Sequence, residues 1–275
     1  MTESTEAEAL EPEGDVFQWC DQPEIPPVDV SGISDPDRAH AIVRSSAKWI
    51  SGTTIRYYLY REIEPEWGVH PNARWIGDDV QYDAVREAFE RWKAQGIGLD
   101  FEEVDDASEA EVRIGFVRGG SWSYVGTGVL NISNPRRRTM NFGWNLTTDH
   151  GKDTVLHEIG HTLGMPHEHQ NPNAGIVWDE QAVLAYCRGP PNNWSEDQTR
   201  HNVLRKLSSG AVHGSTWDRN SIMHYGFRRG LIQEPEELRG GLDPQAGLST
   251  QDVAWIQAWY PPVEDDDIKL LKPLV

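Results

Sequence analysis

At 275 residues the chain is long enough for one large domain or two small ones, and 37% apolar content with twelve tryptophans supplies a sizeable core. No apolar run reaches the roughly 18 residues of a membrane span, and the acidic start lacks the positive and apolar stretches of a secretory signal. The expectation is therefore a chain without a membrane partner or Sec-type address, cytoplasmic or exported by a non-Sec route. The net charge of −19 lies mainly at the ends: residues 1–37 hold eleven acids and no Lys or Arg, while residues 38–263 hold 29 acids against 23 bases, too little basic surface for a nucleic-acid partner.

Residues 1–38 read as an acidic, flexible leader, with Pro23, Pro26 and Pro27 breaking regular structure. Thr53 to Tyr60 is rich in β-branched and aromatic residues and predicts a strand. From Val80 to Gln95, Val85, Ala88, Phe89 and Trp92 recur at helical spacing, and Gly96 ends the run. Leu99 to Val104 and Glu111 to Val117 alternate as half-buried strands, and Ser121 to Ile132 predicts a further strand. Beyond Gly164 the chain turns irregular and rich in Asn, Pro, Gly and Trp. The pattern predicts an α+β catalytic domain over 39–263, with an upper subdomain to about 164 and a smaller irregular one over 165–263. An acidic tail over 264–275 completes the chain.

The chemistry concentrates in His157-Glu158-Ile159-Gly160-His161-Thr162-Leu163-Gly164-Met165-Pro166-His167. Residues four apart on a helix share a face, so His157 and His161 can present imidazoles to one metal ion with Glu158 beside them. Gly164 can end the helix in a left-handed cap, and Pro166 does not prolong it, so His167 can return to the same ion. Three imidazoles leave one zinc position open, as in catalytic rather than structural sites. Cys20 and Cys187 are too few for a cysteine-rich structural centre, and Glu158 is placed to take a proton from zinc-bound water and deliver it to a leaving amine.

This run resembles the extended zinc signature of the metzincin metallopeptidases, and Ser221-Ile222-Met223-His224-Tyr225 is similar to their methionine turn. Glu168 after the third histidine and Tyr225 two residues after Met223 are similar to the astacin-like branch. The likeness extends from Lys48-Trp49 and Thr54-Ile55-Arg56-Tyr57 to Leu248-Ser249-Thr250-Gln251-Asp252 and Tyr260. The absence of the usual two disulfides and His169-Gln170-Asn171-Pro172 after Glu168 depart from animal astacins.

The resemblance implies a twisted, mostly parallel five-stranded sheet with an antiparallel edge strand, a smaller C-terminal subdomain, and one zinc ion per chain in the cleft between. It implies that Ser121, Trp122, Ser123 and Tyr124 form the edge strand along which an extended peptide binds. Met223 becomes an apolar base beneath the imidazoles, Tyr225 a donor to the oxyanion, and Glu168 the water-mediated partner of an amino terminus created by cleavage. In the family register that terminus falls close to Ala39, after Arg38. Cys20, as a thiolate, and Asp15, similar to the aspartate of astacin prosegments, are the candidates for a zinc-capping switch in the leader. Arg136-Arg137-Arg138 is either a solvated loop or an attractor of acidic substrate.

The leading expectation is a monomeric zinc metalloendopeptidase, made as a zymogen, acting on protein or peptide substrates. Its rivals are a silent zinc-stabilised peptide-binding module and a zinc hydrolase of narrow substrate range.

Overall fold

The computed structural model describes residues 18–24, 47–208 and 216–263. In β1 (Thr54–Leu59), Ile55, Tyr57 and Leu59 are buried while the intervening residues are more exposed, the period-2 pattern of a strand covered on one face. Parallel neighbours β2 (Asp100–Glu103) and β3 (Val112–Gly115) flank it. β3 continues in parallel to β5 (Met140–Asn141), and β4 (Trp122–Ser123) closes that edge antiparallel to β5. The order β2-β1-β3-β5-β4 is the expected five-stranded, mostly parallel sheet with an antiparallel edge.

Helix α1 (Asp79–Lys93) starts where the Asp78 side chain accepts a hydrogen bond from the Gln81 N–H, and it buries Val85, Ala88, Phe89 and Trp92. It packs on α2 (Asp149–Thr162), where the Trp92 indole donates to the Leu156 carbonyl at 3.1 Å. Both helices share one apolar core with β1, β3 and β5.

One expected element is different. The strand anticipated over Ser121 to Ile132 ends at Ser123, and residues Gly126–Asn131 wind into a short 3₁₀ helix instead. Gly126 has φ +49°, and a Cβ there would lie 1.6 Å from the Ala47 carbonyl oxygen, so close backbone approach turns the chain at this point. The sequence reading carried the strand on from Ser121 to Ile132, because a contact with Ala47 leaves no local signal.

The C-terminal portion has a second core containing Ile176, Val183, Cys187, Phe227 and Leu238. Two short antiparallel pairs, β6 (Val177–Trp178) with β8 (Ile232–Glu234) and β7 (Phe227–Arg228) with β9 (Gly241–Leu242), surround α3 (Glu180–Arg188) and α4 (Glu196–Thr199). Trp19 and Cys20 of the leader are buried in this second core. Helix α5 (Thr250–Trp259) begins in a capping box of Ser249 and Asp252 and returns to the first core, where the Tyr260 hydroxyl donates to the Leu163 carbonyl at 2.7 Å. Among the described residues, no helix is long and apolar enough to cross a membrane.

The Gly126 contact separates two glycine effects. Gly68 also has positive φ (+62°) but no atom within 4 Å of its absent Cβ. Gly68→Ala is expected to cost about 1 kcal/mol of backbone strain, and Gly126→Ala at least about 2 kcal/mol because Ala47 must move as well. Thermal denaturation of the two full-length variants measures the difference.

Candidate metal centre and cleft

Helix α2 begins with the Thr148 hydroxyl accepting from the Gly151 N–H and carries His157, Glu158 and His161 on its buried side. It stops at Leu163, and Gly164 takes φ +94°, a left-handed turn that reverses the chain. Pro166 follows, and His167 comes back with its ring centroid 4.6 Å from His161 and 5.4 Å from His157.

Two backbone carbonyls orient the helix histidines. The His157 Nδ1–H donates to the Ile222 carbonyl at 2.7 Å, and the His161 Nδ1–H donates to that of Met165 at 2.8 Å. A carbonyl only accepts, so both rings carry their proton on Nδ1 and present Nε2 as a lone pair. Burial favours the neutral form and lowers His157 to about 4, with His161 and His167 also well below the usual histidine range.

The Nε2 atoms of His157 and His161 thus face the interior as lone pairs, and that of His167 converges on them. His157 Nε2 is buried without a hydrogen-bond partner, while His161 Nε2 and His167 Nε2 face each other at 3.0 Å. Cys20 Sγ joins them, and the four candidate ligand atoms lie within 4.8 Å of one another. Three neutral imidazoles and a sulfur form a donor set that fits zinc.

The methionine turn braces this set. Asp252 on α5 accepts from the Ser221 hydroxyl at 2.6 Å and from the Ile222 N–H at 2.8 Å, fixing the residue whose carbonyl orients His157. The Met223 sulfur lies against Gly160, where any Cβ would sit 2.4 Å from Sδ, so a glycine between the two helix histidines admits the methionine. The Glu168 N–H donates to the Met223 carbonyl at 2.9 Å.

Glu158 is fully buried, and its Oε1 has no hydrogen-bond partner. Burial pushes its carboxyl up to about 8, partly offset by a 3.5 Å hydrogen bond from the Cys20 thiol to Oε2. Burial and the neighbouring Glu158 also raise the Cys20 thiol, whereas a coordinated divalent cation acts in the opposite direction and favours thiolate. The Tyr225 hydroxyl donates to the Cys20 carbonyl at 2.6 Å and lies 2.8 Å from His167 Nε2.

The leader segment runs through the cleft. The Asp21 N–H donates to the Ser121 carbonyl at 3.0 Å, beside β4, and the Asp21 carboxylate accepts from the Gln198 and Asn202 amides. Trp19 stacks on Tyr225 with ring centroids 5.5 Å apart and planes 7° from parallel.

The structure thus brings His157, Glu158, His161, His167, Met223, Tyr225, the β4 edge and Cys20 to one place. Asp15 lies outside the described residues, as do Arg38 and Ala39. Glu168 lies on the far side of the methionine turn, in a pocket shared with Asp218, Asp252 and Trp255. Its Oε1 accepts from the Asn171 amide and the Asp218 N–H. His169 and His224 make carbonyl contacts with Asn202 and Tyr225 rather than joining the ligand cluster. In the arginine run, Arg136 pairs with Glu66, and Arg138 lies over the Trp67 and Trp122 rings while donating to Asn141.

Sequence reasoning missed Trp19, Asp21 and Asp252 as parts of this site. Trp19 carried one available signal, a large aromatic residue beside a cysteine in an otherwise acidic leader.

An α+β sheet with a helix-borne histidine cluster beside its antiparallel edge defines a zinc metallopeptidase domain. The sequence profile of the Astacin peptidase family matches residues 41–232, and the chain belongs to that family. Its fold is similar to that of myroilysin, with TM-score 0.65 and 31% identity over 80% of this chain and 98% of that one. It is 26% identical to the zinc metalloproteinase nas-36 of Haemonchus contortus, covering 84% of this chain, and 26% identical to Protein SpAN of Strongylocentrotus purpuratus, covering 69%. The alignments cover only 34% and 29% of those two relatives. The family's metal is zinc.

Because Asp252 holds the turn that orients His157, Asp252→Ala is expected to weaken zinc binding by about 10- to 100-fold. Competition with a zinc-chelating dye reads this directly.

Proposed function

We propose that this chain is a zinc-dependent endopeptidase using Glu158 as its general base, held latent by residues 19–21 of its own leader. The observation that carries the reading is the convergence of three neutral imidazoles, a buried carboxylate and a tyrosine hydroxyl beside the β4 edge.

His157, His161 and His167 would hold the zinc, with Cys20 as the fourth ligand of the latent form. When bound, zinc supplies Lewis-acid polarisation of a carbonyl and acidifies water. Glu158 accepts a proton on its carboxylate and returns it to the departing amine, and its burial strengthens its hold on that proton between the two transfers. Tyr225, freed from the Cys20 carbonyl, turns its hydroxyl toward the substrate carbonyl oxygen as negative charge develops there. The β4 backbone pairs with the peptide and holds it extended.

Latency follows from three simultaneous contacts. The Cys20 sulfur sits among the ligand nitrogens and donates to Glu158, the Cys20 carbonyl holds Tyr225, and Asp21 takes the Ser121 carbonyl. One segment thereby covers metal position, base, oxyanion donor and peptide-binding edge. Release by cleavage after Arg38 would create an amino terminus at Ala39. The pocket holding Glu168, Asp218 and Asp252 suits that ammonium: among the described residues three carboxylates and no Lys or Arg line it, and burial holds Glu168 near 7 until a cation enters. The catalytic unit is read as a monomer.

Glu158→Ala is expected to bind zinc as the wild type does while losing about 10²- to 10⁴-fold in cleavage of a diverse peptide library. Equal cleavage by the two proteins would overturn the general-base assignment. In the full-length chain, Cys20→Ser is expected to raise basal activity at least about tenfold, since hydroxyl is a poorer zinc ligand than thiolate. Amino-terminal sequencing of the active form should read from Ala39, and retention of Met1 or its neighbour would exclude the proposed activation.

A further inference from the structure

Trp19 is only 3% exposed, although it belongs to a segment that must leave the cleft for a substrate to enter. Its ring lies between Tyr186 on α3, at 5.1 Å, and Phe227 on β7, at 5.2 Å, with Trp194 at 6.0 Å and Tyr225 stacked above. The indole Nε1–H donates to the Gly226 carbonyl at 2.9 Å, and the Trp19 backbone N–H donates to Asn192 Oδ1 at 3.2 Å. Both the face and the polar edge of one indole are therefore matched.

The walls have support independent of Trp19. Val183 and Cys187 of α3 are fully buried, the Trp194 N–H donates to the Cys187 carbonyl at 2.8 Å, and the Arg228 guanidinium lies 4.3 Å from the centre of the Tyr186 ring. Such a cage does not need its occupant to hold its shape, and a preformed pocket loses less entropy on binding. Its position is equally specific. The next residue, Cys20, reaches the ligand cluster and the one after it pairs beside β4, so the cage accepts the side chain adjacent to whichever residue occupies the metal centre.

We propose that, after the leader withdraws, this cage recognises a tryptophan side chain of the peptide lying in the cleft, at the position adjacent to the residue seated at the metal centre. Its bearing on cleavage rests on the endopeptidase reading, and recognition of indole rests on the geometry alone. Phenylalanine fills the apolar space but leaves the Gly226 carbonyl without its donor, and alanine forfeits both interactions.

The test uses the full-length chain carrying Trp19→Ala and Cys20→Ser, loaded with zinc. Fluorescence anisotropy measures binding of a dye-labelled peptide of residues 17–22 with Cys20→Ser, against the same peptide with Trp19→Ala or Trp19→Phe. The tryptophan peptide should bind about 100-fold more tightly than the alanine peptide and about tenfold more tightly than the phenylalanine peptide. Adding Trp194→Ala to the protein should collapse the difference, and Trp194→Leu, which retains apolar volume, should reduce it. Equal binding of the three peptides, or a preference untouched by both Trp194 variants, overturns the proposal.

A second arm measures kcat/KM for fluorogenic peptides varied on each side of the bond cleaved. Selectivity for tryptophan on one side supports the assignment, and cleavage without such selectivity overturns it. Indole-dependent binding with no peptide cleaved supports recognition by the cage and overturns the endopeptidase reading instead.

Discussion

The site depends on two hydrogen bonds that are not themselves chemical participants. By accepting from Nδ1, the carbonyls of Ile222 and Met165 compel His157 and His161 to offer Nε2 to the same point. Rotation of either ring, or the other tautomer, would direct an N–H where a cation must bind. One carbonyl comes from the turn just after α2 and the other from more than sixty residues downstream. A local reversal and a long-range closure must therefore coincide before the metal site exists, and the first core, to which both Met165 and Ile222 belong, brings them together.

Burial then gives each group its chemical form. The imidazoles stay neutral because a charged ring could not be hydrated there, which is the state a metal ligand needs. The same dry surroundings raise the Glu158 carboxyl above the usual carboxylate range. A single environment thus prepares nitrogen donors and a carboxyl acid, with no separate tuning for each.

Much of this was legible in the chain. The i, i+4 histidines, Gly164 and His167 carried the helix, its stop and the returning ligand, because each rests on a local rule of helical geometry. The β1 and α1 assignments succeeded for the same reason: Ile55, Tyr57 and Leu59 alternate, and Val85, Phe89 and Trp92 follow helical spacing. The turn at Gly126 was lost because it depends on Ala47, far away in sequence and close in space. Asp252 was invisible as a brace for a related reason: in the sequence it is simply the third residue of a helix, where an acid is ordinary. Trp19 looked like one aromatic residue in a polar leader until its four ring neighbours, all at least 160 residues away, were assembled around it.

The Asp252 brace has a thermodynamic corollary. It ties the methionine turn to α5, which also packs into the core through Ile256 and is followed by Tyr260 bonded to the end of the zinc helix at Leu163. Energy shared between two sites is reciprocal. Metal held by these histidines would therefore also grip the closing helix, and any event that frays that helix would loosen the metal. The ion and the last helix act as two clasps of one enclosure, each tightened when the other is shut.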